Sequence, residues 1–113
     1  MKHLTISEKS VLLGDEAADL LASYTVALAD AGRADSADLL VINTGESTPT
    51  GLTAVLDAGT QLVVESVQSD LPEPDNGKLV EYLLGRIGRI DRQRNPGPEA
   101  VSGEDVWNRL DVE

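Results

Sequence analysis

The chain has 113 residues, 20 acidic against nine basic, for a formal charge of −11, and contains no cysteine. One domain of ordinary apolar content (41%) is expected. Disulfides, thiolate metal sites and cysteine nucleophiles are excluded, and a field of this sign opposes binding to nucleic acid or to an anionic membrane.

The charge is uneven. Residues 1–76 carry 13 acids and three bases, whereas residues 77–94 carry five bases and two acids. Aromatics are nearly absent: Tyr24, Tyr82 and Trp107, with no phenylalanine. The core must therefore be assembled from Leu, Val, Ile and Ala, each Leu or Val contributing about 1.5–3 kcal/mol when fully buried.

In chain order, Leu4/Ile6 and Val11-Leu12-Leu13 are two short apolar stretches, either of which suits a short strand. No secretory core or membrane span is legible in runs this short. Gly14-Asp15-Glu16 opens a helix, with acids where the helix dipole favours them. Ala17, Leu20, Leu21, Tyr24, Ala27 and Leu28 form one stripe, and Gly32 is a stop after Ala31. Asp38 to Asn43 contains Leu39-Leu40-Val41-Ile42, a run suited to a central strand covered on both faces. Thr44 to Thr50 is a loop; Thr44-Gly-Glu-Ser-Thr48 lacks the Gly-Lys pair of a phosphate loop and reads as a turn. Leu52, Ala54 and Leu56 alternate with Thr53, Val55 and Asp57, the period of a half-buried strand. Asp57-Ala58-Gly59 reads as a tight hairpin turn, with Gly59 able to take positive φ, and Thr60 to Gln68 returns as the next strand.

Leu71 to Asn76 contains two prolines, which forbid a ladder strand; Asp75 or Asn76 can cap the helix that follows. That helix spans about Gly77 to Arg92, with Leu79, Val80, Leu83, Leu84, Ile87 and Ile90 as its buried stripe. Asn95-Pro-Gly-Pro98 ends it. Ser102 and Asp105 make a capping-box-like pair before Val106, Trp107 and Leu110. The expected architecture is α+β: a three- to four-stranded, mostly antiparallel meander with two amphipathic helices on one face, over residues 1–94. Residues 95–113 are expected to form a Pro/Gly-hinged tail with a short helix.

No motif identifies a reaction. His3 is the single histidine and has no sequence partner, Glu73 and Asp75 match no metal loop, and neither a catalytic residue, a metal ligand nor a cofactor is expected. Arg86, Arg89 and Arg92 lie three apart on one helix flank, either paired with the acidic remainder or facing an acidic partner. Trp107, with Leu110, either pins the tail to the domain or anchors a partner. Arg86, Arg89, Arg92, Trp107 and Leu110 are thus the candidate partner-binding residues. The expectation is a non-enzymatic acidic binding or regulatory module, engaging another protein or a second copy of itself, without nucleic acid or membrane. The alternative is a small-ligand binder or enzyme using carboxylates and arginines on the uncovered sheet face. Val41, Val55, Val63 and Val67 are candidates for a dimer surface there.

Met1-Lys-His-Leu-Thr-Ile-Ser-Glu-Lys-Ser10, Gly14-Asp-Glu-Ala-Ala-Asp19 and Ser69-Asp-Leu-Pro-Glu-Pro-Asp-Asn76 resemble small uncharacterised acidic proteins of high-GC actinobacteria. The resemblance implies a cytoplasmic setting and carries over no site residue.

Overall fold

A computed structural model describes residues 1–94. The hinge at Asn95–Pro98, the Ser102 helix start, Trp107 and Leu110 lie outside the described residues. The described chain runs β1 (Lys2–Ile6), β2 (Lys9–Leu13), α1 (Asp15–Ala31), β3 (Asp35–Asn43), β4 (Pro49–Leu56), β5 (Leu62–Ser66) and α2 (Gly77–Arg94). The class is α+β, as the hydrophobic periods indicate. The sheet has five strands rather than three or four, all antiparallel, in the order β4-β3-β2-β1-β5.

Both early apolar stretches are strands. They form a hairpin closed by Ser7 and Glu8, with Ile6 opposite Lys9. Ser7 sits at φ 54°, the sense that a two-residue hairpin loop requires, and its N–H donates to the Gln61 carbonyl at 2.7 Å. No glycine, asparagine or proline marks this turn, so sequence chemistry alone does not declare it.

Helix α1 starts and stops as its residues dictate. Gly32 takes φ 67° and its N–H returns to the helix carbonyls, as a left-handed terminator does. The β3–β4 hairpin turns through Asn43–Glu46, where the Glu46 N–H reaches the Asn43 carbonyl at 3.0 Å and Gly45 has φ 86°. Positive φ at the third position is the type II pattern, which explains the glycine without any phosphate.

The meander is corrected. The turn at Asp57 forms, with the Thr60 N–H on the Asp57 carbonyl at 3.1 Å and the Gly59 N–H on Asp57 Oδ1 at 2.8 Å. Gly59 is not among the positive-φ glycines. It joins no hairpin either, because β5 lies at the opposite edge, paired with β1 from Lys2↔Ser66 to Ile6↔Leu62. In a flat sheet the two edges would stand roughly 19 Å apart. The short connector, part of it spent in the turn, reaches about 21 Å only if fully extended. The sheet therefore curls, and Leu56 and Leu62, at the two ends of that connector, pack into one cluster.

Both helices lie on the inner face of this curl. Leu4, Val11, Leu13, Ala37, Leu39, Val41, Ala54 and Leu56 point inward against Leu21, Tyr24 and Leu28 of α1 and Leu79, Leu83 and Ile90 of α2. Three expectations change here. The run at 39–42 is covered on its outer face only in part, since Leu40 is 38% exposed while Ile42, on the same face, is 1% exposed. Val41 belongs to the core rather than to an outer dimer face, whereas Val55 and Val63 do point outward, 63% and 54% exposed. Leu84 leaves the buried stripe of α2 and is exposed. Among the described residues no helix is long and apolar enough to cross a membrane.

Candidate functional site

Two neighbouring features concentrate polar groups where α2 meets β3. The first is a clasp around Asp35. Tyr24, in the apolar stripe of α1, is fully buried, so its hydroxyl needs a partner away from water. Gly32 ends α1 three residues before Asp35, which brings the first residue of β3 back beside that hydroxyl. Tyr24 and Tyr82 both donate to Asp35 Oδ2, and the Ser36 N–H donates to Oδ1 at 2.8 Å. The two rings meet edge to face, centroids 6.4 Å apart. Arg86, one turn beyond Tyr82, donates from Nε to the Tyr24 hydroxyl at 3.4 Å and lies 5.9 Å from the Tyr82 ring centroid.

The electrostatics follow from these contacts. Burial would raise the Asp35 carboxyl, but the bonds from Tyr24, Tyr82 and the Ser36 amide, with the Arg86 charge, outweigh it and hold it below the usual carboxylate range. The hydrogen bond to Asp35, then burial, pushes Tyr82 up to about 12. Tyr24 is raised by burial first and by its bond to Asp35 second. The clasp thus stays a carboxylate receiving two neutral phenols. Its groups are those that acid–base chemistry would use, and they are bonded to one another.

The second feature is a groove between β3 and the first turns of α2. One end is a cleft of about 300 Å³ bounded by Ser36, Asp38, Lys78 and Tyr82. It continues into a cleft of about 480 Å³ that shares Asp38, Lys78 and Leu79 and reaches Leu40, Thr53, Asp75 and Asn76. The prolines keep residues 71–76 out of any strand, and Pro74 is buried. Asp75 Oδ1 accepts the Gly77 N–H at 3.1 Å, so Asp75 is the residue whose side chain caps α2.

Asn76 is used differently. Its Oδ1 accepts the Leu40 N–H and its Nδ2 donates to the Leu40 carbonyl, both at 2.8 Å. Strand β2 pairs with β3 only at Val11↔Asn43 and Leu12↔Ile42; continuing that register would set Gly14 against Leu40. The chain leaves the sheet at Gly14 to begin α1, and the Asn76 amide occupies the vacated rung. Backbone groups alternate sides along a strand, so those of Ser36 and Asp38 face the same way as those of Leu40, with no strand of the described residues beside them. Ser36 spends its N–H on Asp35, which leaves the Ser36 carbonyl and both groups of Asp38 on the groove side. The Asp38 carboxylate accepts Thr53 Oγ1 at 2.6 Å.

Of the residues singled out by charge, Arg86 is turned inward to the clasp, while Arg89 and Arg92 are exposed on the remaining turns of α2. His3 stands opposite Glu65 across β1 and β5, Nδ1 to Oε1 3.6 Å. Tyr24, Asp35, Tyr82 and the strand-mimicking role of Asn76 are missed by charge and motif reading. One signal pointed to the clasp: a tyrosine inside an apolar helical stripe carries a hydroxyl that must be satisfied. Among the described residues no group of three or more His, Asp and Glu stands close enough to hold a metal ion. No protein-family model, curated protein or solved structure matches the chain. The fold and groove define it as an antiparallel α+β domain with a curled sheet and an incompletely paired strand, β3.

Proposed function

We propose that the protein is a non-enzymatic recognition module that takes an extended, basic segment of a partner protein into the groove between β3 and α2. The observation that carries this reading is the half-open edge of β3 beside Asn76. One amide already pairs with Leu40 as a strand residue would, and the Asp38 backbone groups one rung further face the groove. An extended peptide would continue the ladder from there, as in recognition by strand addition. Its basic character follows from the net charge of −11 and from Asp38 and Asp75 on the groove wall. Lys78, on the same wall, would sit opposite an uncharged or acidic position of the segment. The clasp serves this reading by holding α2 at the distance from β3 that keeps the groove open.

The test is an amide-resolved NMR titration with an octapeptide of alternating Lys and Val, against one of alternating Glu and Val. Shifts centred on Ser36–Leu40 and Asn76–Lys78 are expected for the basic peptide, reduced in Asp38→Asn. Absence of shifts there, or equal shifts with the acidic peptide, would rule the reading out.

A further inference from the structure

The other side of the β3–β4 hairpin carries a separate signal. Since Ser36, Asp38 and Leu40 turn their backbone groups away from β4, the register assigns Thr50, Leu52 and Ala54 of β4 to the bonds with β3. Pro49, Gly51, Thr53 and Val55 therefore direct their backbone groups outward, along an edge that no other strand of the described residues covers. This edge has none of the usual charged guards: Pro49–Leu56 contains no ionisable residue, in a chain that is 26% charged.

Its donors and acceptors are complementary to themselves. Two copies of β4 set antiparallel about Leu52 place Gly51 against Thr53 of the other copy, twice, each pair exchanging both N–H···O=C bonds. The same register places Pro49 against Val55. Pro49 has no N–H to give, and the Val55 carbonyl that would have received it already accepts Thr60 Oγ1 at 3.0 Å. The Val55 N–H remains to meet the Pro49 carbonyl. No donor is left without an acceptor, and the one missing donor falls opposite the one occupied acceptor. On the outer face the exposed Val55 side chain lands on the proline ring; on the inner face the half-buried Leu52 meets its own copy.

We propose that β4 is a homodimer interface, pairing with β4 of a second copy about a two-fold axis at Leu52 and continuing the sheet across the dimer. An isologous contact of this kind needs a self-complementary strip. An uncharged strip is also where two chains of charge −11 meet with least repulsion. A strand pair of this length falls below the area of standard interfaces, so the dimer is a reversible one.

Light scattering up to about 1 mM chain, the weak end of measurable association, reads this directly. The expected result is a mass rising toward twice 12.0 kDa. It should rise at lower concentration in about 1 M salt, where the Debye length shrinks to roughly 3 Å. Gly51→Asp should return the mass to the monomer: a Cβ at Gly51 meets nothing within 4 Å, so the fold tolerates it, while the new carboxylate lies in the strip. Thr53→Pro removes an outward N–H and should act alike, with circular dichroism confirming that each variant is folded. A monomer throughout would overturn the proposal, as would association that weakens with salt or survives a folded Gly51→Asp. Gly51 and Thr53 also line the larger cleft of the groove, but the mass is read without any peptide, so this proposal and the peptide reading stand or fall separately.

Discussion

The two helices are held to the sheet by different means. Helix α1 buries Ala17, Ala18, Leu21, Tyr24, Thr25, Ala27 and Leu28, and its attachment is mostly apolar area. Helix α2 fully buries only Leu79, Leu83 and Ile90 along its described side chains, and relies on directional contacts: Asn76 on Leu40 at its start, Tyr82 and Arg86 on Asp35 and Tyr24 in its middle. Apolar burial is non-directional, whereas two hydrogen bonds to one strand residue fix both the distance and the direction of α2 from β3. The first kind of attachment gives stability, the second sets the width of a groove.

This contrast can be broken from either side. The largest effect belongs to α1. Leu28→Ala, at a site 1% exposed, should cost about 2–5 kcal/mol in denaturant unfolding, lowering the stability of the whole domain. Next comes the clasp. Asp35→Leu removes the acceptor of a buried phenol and should cost about 1–3 kcal/mol, whereas Asp35→Asn, which keeps an acceptor oxygen, should cost less. Equal losses in the two variants would show that an acceptor oxygen alone does not replace the carboxylate and that its charge carries the contribution. Smaller still is Asn76→Ala, worth about 1–2 kcal/mol for two partly exposed hydrogen bonds. Its distinguishing result is local: the Leu40 amide should lose protection in hydrogen exchange while Leu28 keeps it.

The smallest effect is one of pH. Because Asp35 is lowered in the folded protein, its contribution is present above the unfolded carboxylate value near 3.9 and fades as pH falls through the folded value. Because Tyr82 is raised, its contribution is full below the unfolded value of about 10 and is lost as pH rises through about 12. Phenolate absorbance during an alkaline titration should therefore show delayed ionisation of both tyrosines. In Asp35→Asn the onset should move toward the ordinary range.

How much of this was legible in the sequence follows the same division. The extent of α1, its stripe and its stop at Gly32 were plain, because helix period and terminator chemistry are local. The strand character of 38–43 and 52–56 was plain too. What failed was the partner of β5: Asp57-Ala58-Gly59 has the chemistry of a turn and makes one, but whether a turn closes a hairpin depends on where an unpaired strand waits. Here β1 offered its second side to Leu62–Ser66. The β1–β2 hairpin was hidden because Ser7 takes positive φ without a glycine to announce it. At the site, Arg86 was visible as one of three charges, but not that it alone turns inward. That depends on Tyr24 and Asp35, 62 and 51 residues earlier, both beyond the reach of any local pattern. Asn76 was legible as a helix-start residue, yet Asp75 takes the side-chain cap and frees Asn76 for the sheet.

The pairing of β1 with β5 has a consequence for how the protein comes into being. Lys2 is synthesised 64 residues before its partner Ser66. Throughout that interval the nascent β1–β2 hairpin carries an unsatisfied flank, and the closing contact is a long-range one of the sort that slows folding. Synthesis rate and chaperone occupancy between the emergence of β2 and that of β5 then become determinants of yield. A nascent chain arrested short of residue 62 should be captured by strand-binding chaperones, and one released with α2 complete should not.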